Sequence, residues 1–305
     1  MLEELDLPAW VGKAPPGKAS FREAVHIVLH AISTSLALRS TMVIKGGMLM
    51  AIRYDSSRFT KDADFSTREK YAKNSEKELL EELDRQLVLA NDQLPYDTMC
   101  RRQRAVINPP RADAKFPTLS VSIGYAQRSK AQAVARLNNG QAPTVVQIDY
   151  SYNEAVYDVE LLGLGDGDQL QAYSFKNLLA EKMRSLLQQP IRNRNRRQDV
   201  YDLNLLIASG TAPTAEEKKG LLELLATSCR ERGIEPNRGS FANPEIKRMA
   251  SEGYQDLAPE VEGELPPFEE AYARVQAFYE DLPWDYLPAA APEANGQASA
   301  VTDGA

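Results

Sequence analysis

Apolar positions recur along this chain with two periods, and each change of period marks an element. Phe21, Val25, Val28, Leu29, Ile32 and Leu36 are spaced by three to four residues, which places them on one helix face. Ser20 before them, with Glu23 three residues on, has the form of a capping box, so a helix is predicted from residue 20 to about 39. A short apolar run, Lys45-Gly46-Gly47 and a second apolar helix over residues 48–54 follow. Residues 62–66 then alternate as a strand, with Ala63 and Phe65 on one face and Asp62 and Asp64 on the other. A charged amphipathic helix is expected over residues 74–91, with Leu79, Leu80, Leu83, Leu87 and Val88 as its apolar stripe and a solvated Glu-rich face. Strands are predicted at about residues 96–107, 118–126 and 144–152. In the second, Leu119, Val121, Ile123 and Tyr125 alternate with Ser120, Ser122 and Gly124, the pattern of an antiparallel strand with one wet face. In the third, Val146, Ile148 and Tyr150 share the core face, which leaves Asp149 on the other. Asn138-Asn139-Gly140 ahead of it reads as a turn.

From Ser174 the period is helical. Ser174 caps a helix over residues 175–189, in which Lys182 sits among Leu178, Leu179, Leu186 and Leu187, a setting where lysine ordinarily reaches its amine out to water. Beyond Pro190, Arg192, Arg194, Arg196 and Arg197 form the most basic short run in the chain, and Asp199 and Asp202 follow on one face of the next helix. Further helices are expected over residues 214–226, 244–252 and 267–282, the last with Phe268, Ala271, Tyr272, Val275 and Phe278 as a core stripe. Residues 1–18 read as an irregular arm, and residues 161–168, LLGLGDGD, as a turn near a domain boundary; that turn lacks the remaining ligands of a calcium loop. The Ala/Pro/Gly-rich tail from residue 287 has too few large apolar side chains to order itself. The fold class expected is α+β: a mixed sheet flanked by helices in residues 1–165, a helical domain in residues 166–286 and a disordered tail in residues 287–305.

The chain has 305 residues with 43% hydrophobic and 26% charged content, which is the balance of a globular protein with a sizeable core. Its only cysteines, Cys100 and Cys229, are far apart and belong to no Cys-x-x-Cys pair, which argues against a disulfide framework and a zinc site. No apolar run approaches the roughly 20 residues of a membrane span, and the acidic N-terminus is unlike a secretory signal, so a cytoplasmic protein with no membrane partner is expected. A net charge of −7 counts against RNA as a partner, although a local basic patch can suffice for it, and leaves acidic faces that a basic partner could cover. His26 and His30 have the spacing of a helical metal pair, but with no acidic residue beside them they are expected to pack or face solvent.

The chemistry concentrates in residues 43–66. Asp62 and Asp64 point the same way, and close carboxylates repel unless a cation lies between them. All-oxygen ligands of this kind suit Mg²⁺ shared with a bound phosphate. Gly46 and Gly47 let backbone N–H groups approach an anion at a helix N-terminus, and Arg58 is placed to reach a phosphate. Together these point to phosphoryl-type chemistry.

At these residues the chain resembles a known family. The pattern of apolar residue, Lys45-Gly46-Gly47, helix, and Arg58-x-Thr60-x-Asp62-x-Asp64-Phe65 is similar to that of the AbiEii/MenT-type toxins, nucleotidyltransferases of bacterial toxin–antitoxin and phage-defence systems. A second block, Ala180-Glu181-Lys182 followed by an Arg-rich loop and Asp199-Val200-Tyr201-Asp202-Leu203, resembles the same family. The resemblance implies a nucleotidyltransferase-like fold and an Mg²⁺- or Mn²⁺-dependent enzyme with an NTP co-substrate. Asp62 and Asp64 would hold the metal with Asp149 as third ligand, and Lys45, Gly46, Gly47 and Arg58 would hold the nucleotide phosphates. Lys182 would contact phosphate, and Asp199 would support it or move a proton. It implies transfer to RNA, the 3′ end of tRNA in particular, with inhibition of translation, and a cognate antitoxin as partner. Arg192, Arg194, Arg196 and Arg197, with the arginines near Arg101, would meet the RNA backbone. One departure stands out: Met48 occupies the position where the wider superfamily has Ser or Thr. A phosphotransferase acting on a small molecule or a protein, and a degenerate fold acting by protein binding alone, are the alternative readings.

Overall fold

A computed structural model describes residues 2–111, 114–165, 167–209 and 213–287, so the expected disordered tail, apart from Leu287, lies outside the described residues. Strand β1 (Glu3–Glu4) and helix α1 (Leu7–Gly12) stand where an irregular arm is expected, because the Asp6 carboxylate accepts from the Ala9 N–H at 2.8 Å and starts a helical turn. Helix α2 (Ala19–Thr34) begins before Ser20. Its N-cap is Lys18, with no side-chain cap, and Glu23 accepts from the Thr98 hydroxyl instead of closing a capping box. Helix α3 (Leu36–Arg39) is a separate turn capped by Ser35.

The predicted centre follows as β2 (Val43–Lys45), α4 (Gly46–Arg53) and β3 (Asp62–Ser66). Helix α5 (Glu76–Gln93) buries Leu83 and Leu87, but Val88 is 61% exposed and does not belong to the apolar stripe. Strands β4 (Thr98–Asn108), β5 (Thr118–Gln127) and β6 (Val145–Ser151) match the three expected strands, with α6 (Ala131–Asn138) between the last two. The Gly/Asp-rich stretch does not leave the sheet. It turns between β7 (Val159–Gly163) and β8 (Gln169–Tyr173), which pair antiparallel. The helical part then comprises α7 (Phe175–Leu187), α8 (Gln189–Arg192), α9 (Arg197–Ser209), α10 (Ala215–Arg230), α11 (Pro244–Ser251) and α12 (Phe268–Glu280).

One mixed sheet runs in the order β1-β7-β8-β2-β3-β6-β5-β4. Its core face carries Ala63, Phe65, Leu119, Val121, Ile123, Val146, Ile148 and Tyr150, all buried, and α2 packs across this side of the sheet with Val25, Val28, Leu29 and Ile32. Burying each such side chain contributes about 1.5–3 kcal/mol, which holds the sheet in one register against the helix. The register sets the opposite face as well. Lys45 pairs with Asp64, Asp64 with Asp149 and Asp149 with Ser120, so these four side chains form one row across β2, β3, β6 and β5. A strand slipped by one residue would bury the aspartates, so the apolar alternation is what presents them to solvent.

The two histidines are structural. His26 Nδ1 lies 2.7 Å from the Tyr96 hydroxyl, and His30 Nε2 lies 2.9 Å from Gln93 Oε1. An acidic neighbour is present after all, since Asp168 Oδ2 is 3.5 Å from His30 Nδ1. No metal-binding group of three His, Cys, Asp or Glu is found among the described residues.

Burial, followed by the nearby His30, depresses the His26 pKa to about 4 from 6.5. A depressed histidine pKa means the fold favours the neutral ring, so this contribution is complete above pH 6.5 and is lost as pH falls toward 4. Urea unfolding at pH 7 and pH 5 should therefore show wild type losing stability relative to His26→Gln, by on the order of 1–2 kcal/mol. A pH-independent difference between the two would contradict this assignment.

Candidate active site

A cleft of about 520 Å³ opens over the polar face of the sheet, and the helical part supplies its other wall. Lys45, Gly46, Gly47, Arg58, Asp62, Asp64, Asp149, Lys182, Asp199 and residues 192, 194, 196 and 197 all line it, so the site residues expected from sequence converge on one space. Arg101 and Arg102 do not: they lie on β4 at the far edge of the sheet, where Arg101 bonds Asn138, Arg102 pairs with Asp84, and both line a separate groove.

Helix α4 starts directly from β2, and Gly46 makes the junction with φ +69°, where a side chain would be strained. A methyl group there would also overlap Asp64 Oδ2, so glycine is needed for the carboxylate and the helix start to approach. No side chain caps the first turn of α4, which leaves its N–H groups facing the cleft. Met48 turns away into the core at 1% exposure and offers nothing to the cleft, whereas Thr60 brings a hydroxyl beside Gly47.

Burial and mutual repulsion set the electrostatics of Asp62 and Asp64. Burial, then the charge of Asp149, raises the pKa of Asp62. Asp64, half-buried, is pushed up to about 6 by burial against the favourable charge of Lys45, with Glu181, Asp149 and Asp62 adding to the rise. Asp149 Oδ1 accepts from Ser120 Oγ at 2.7 Å, which fixes its orientation. The three side chains share a face without closing into a ready-made cage, as the absence of any three-ligand metal group among the described residues requires. One or two carboxylates with the remaining positions left to water and phosphate oxygens is the usual arrangement for Mg²⁺, so this donor set fits that ion.

The cations expected to hold phosphate are already paired. Lys45 Nζ is 2.5 Å from Glu154 and 3.4 Å from Glu181. Burial opposes its charge, but Glu181, Tyr173 and Glu154 outweigh that and hold its pKa well above the usual lysine value. Arg58 makes a forked bond to Asp202 at 3.1 and 3.0 Å. Lys182 does not reach out to water: it is buried, 2.6 Å from Asp202 and 3.3 Å from Asp199. Asp202, fully buried on α9, thus bridges two cations from separate elements, which outweigh its burial and lower its pKa. Asp199 is different. Burial raises its pKa despite Lys182 and Arg196, and its Oδ2 has no partner. Of the two acids on α9, Asp202 has both oxygens bonded to cations, whereas Asp199 lines the cleft and keeps one buried oxygen unpartnered. Glu154, Glu181, Arg184, Asp202 and Arg232 also line the site. Of these, Glu181 and Asp202 lie in recognisable sequence blocks, whereas Glu154 and Arg232 come from a loop and a helix end that carry no pattern.

The family model of the nucleotidyl transferase AbiEii toxins of type IV toxin–antitoxin systems matches residues 29–274. The chain belongs to this family. It is accordingly a nucleotidyltransferase of the toxin class, and the matched region contains every cleft residue named above. A crystal structure from H. pylori described as a "putative nucleotidyltransferase" shares the fold, with 14% identity, 88% of this chain and 95% of that chain covered, and a TM-score of 0.51. The crystal structure of JHP933 from Helicobacter pylori aligns at 13% identity over 88% of this chain and 92% of that one, with a TM-score of 0.48. No curated protein shows significant sequence similarity to the chain. Among the described residues no helix is long and apolar enough to cross a membrane.

In this AbiEii-family cleft the two α9 acids should separate in the laboratory. Asp202→Asn leaves Arg58 and Lys182 short of their shared carboxylate in a buried site, and denaturant unfolding should show a loss of about 3 kcal/mol or more. Asp199→Asn should unfold within about 1 kcal/mol of wild type, because Lys182 keeps Asp202. Equal losses from the two substitutions would contradict the division of roles.

Proposed function

We propose that this enzyme transfers a nucleotide from a nucleoside triphosphate to an RNA acceptor, the 3′ end of tRNA, in a Mg²⁺-dependent reaction that stops translation and growth in the bacterial cytoplasm. The observation that carries the reading is the aspartate row of β3 and β6 facing the open turn of α4 across a cleft rimmed by residues 192–197. Asp62 and Asp64, with Asp149 beside them, are the residues that would hold the metal, and Mn²⁺ suits the same oxygens. The ion, when bound, neutralises phosphate charge and helps align the attack.

The remaining roles belong to the chain. The N–H groups of Gly46 and Gly47, at a helix start that no side chain caps, donate to phosphate oxygens. Lys182 holds Asp199 in place through Oδ1, and the Asp199 carboxyl, which lines the cleft and whose pKa is raised, takes the proton from the acceptor hydroxyl. The acceptor oxygen then bonds to the α-phosphorus as the bond to the α,β-bridging oxygen breaks and pyrophosphate leaves. Arg192, Arg194, Arg196 and Arg197 at the mouth meet the phosphodiester backbone, which gives a protein of net charge −7 a local surface for RNA. Acidic surface elsewhere suits a basic face of an antitoxin, the partner that a type IV system implies.

Incubation with each of the four α-labelled nucleoside triphosphates and total tRNA should move label into tRNA. Asp62→Ala, Asp64→Ala and Asp199→Asn should each lower the rate by about a hundredfold or more, with the fold retained. Chelation of divalent metal should abolish transfer. Label appearing in a small molecule or a protein in place of RNA, or growth inhibition that survives Asp64→Ala, would overturn the reading.

A further inference from the structure

A second cationic group, of which the sequence pattern marks only Arg192, faces the aspartate floor. Its argument rests on the nucleotidyl-transfer reading above. Lys45, Arg58 and Lys182 have their charge matched by Glu154, Glu181, Asp202 and Asp199. On the wall formed by α7, α8 and the end of α10, the balance is reversed. Arg184, Arg192 and Arg232 line the same cleft as Lys45, where Glu154 pairs with Arg232 and Glu181 with Arg184, while Glu231 acts on Arg232 from outside the cleft lining. Four cations thus share two carboxylates on this wall, while Asp62, Asp64 and Asp149 form the floor.

The wall is built rather than incidental. The Arg232 guanidinium lies 3.7 Å from the Phe116 ring centroid, and its Nη2 is 3.4 Å from Glu154 Oε1, so one face and one edge are fixed. Arg184 donates from Nη1 to Gln188 Oε1 at 3.0 Å and stands 3.9 Å from Glu181. The two side chains are only 12% and 11% exposed, so both guanidinium groups are held deep in the cleft. Arg192 ends α8 at the mouth, exposed and without an ion pair among the described residues. Burial, then the charge of Arg184 and, after Glu154, that of Arg192, act on Arg232 to lower its pKa, so these like charges crowd one another. A multivalent anion between them relieves that crowding.

We propose that Arg184, Arg192 and Arg232 form the binding site for the β- and γ-phosphates of the nucleoside triphosphate, the pyrophosphate that departs during transfer. As the α-phosphorus gains its bond to the acceptor oxygen, its bond to the α,β-bridging oxygen breaks, and the electron pair stays on that oxygen, which leaves as a terminal oxygen of pyrophosphate. These guanidinium groups donate to that leaving group. The depth of Arg184 and Arg232 favours a short terminal polyphosphate over a polynucleotide backbone, which the exposed arginines at the mouth can reach.

Titration calorimetry at fixed Mg²⁺ with inorganic pyrophosphate, the four nucleoside triphosphates and a single-stranded RNA oligonucleotide tests this. Arg184→Gln and Arg232→Gln should each weaken pyrophosphate and triphosphate binding by about tenfold or more, with RNA affinity unchanged. Arg232→Lys should recover part of the loss, because charge is kept and the planar fork is not. Arg192→Gln, at the exposed mouth that RNA also reaches, should weaken both pyrophosphate and RNA binding, and Arg232→Lys serves if a glutamine variant fails to fold. Unchanged pyrophosphate affinity in folded variants, or a loss confined to RNA, would overturn the proposal while leaving nucleotidyl transfer standing. Wild type that binds no triphosphate at all would instead remove the reading on which it rests.

Discussion

Like charges held on one face of two parallel strands repel, and the cleft of this protein is built around that repulsion. Asp62 and Asp64 on β3 and Asp149 on β6 are fixed there by the burial of Ala63, Phe65, Ile148 and Tyr150 on the other face. The chain does not relieve them from within. Lys45, the cation that shares their row, is drawn toward Glu154 and Glu181, and Asp64 keeps a pKa pushed up to about 6. Negative charge concentrated over a bare helix start is the donor arrangement on which the proposed binding of a divalent ion and a phosphate rests.

The free energy needed to hold this arrangement comes from elsewhere in the fold. Asp202 joins Arg58, from the loop before β3, to Lys182 on α7, and so ties the helical part to the sheet across the cleft. Backbone bonds reinforce the tie: the Phe59 N–H donates to Glu260 O at 2.6 Å and the Glu262 N–H to Ser57 O at 3.1 Å. Buried ion pairs of this kind are sensitive to loss of one partner, which makes them suited to fixing position more than to adding stability. Beside that structural pair, Asp199 retains an unpartnered oxygen, and the contrast follows from which acid the second cation reaches.

Residues whose role depends on period were legible in the sequence. Alternation alone places Asp62, Asp64 and Asp149 off the core face, and the strand register then puts Asp64 beside Asp149. The α9 acids were legible from their helical spacing, though only the structure separates Asp199 from Asp202. What was not legible lacks period or depends on distant packing. The five-residue strands β7 and β8 are hidden by the Gly/Asp turn between them. Glu154 and Arg232 meet in space across 78 positions of chain. Arg101 looked like part of an RNA surface, but β4 is three places from β3 in the sheet order and its arginines face another groove. Local alternation cannot reveal sheet order, which tertiary pairing decides.

The central claim is that the aspartate row binds a divalent cation. Titration of Mn²⁺ followed by electron paramagnetic resonance, in the presence of nucleoside triphosphate, measures this directly through loss of the free-ion signal. Wild type should remove Mn²⁺ from solution beyond what the nucleotide alone removes, and Asp64→Asn, folded by circular dichroism, should not. Equal uptake by both proteins would place the metal elsewhere and contradict the account.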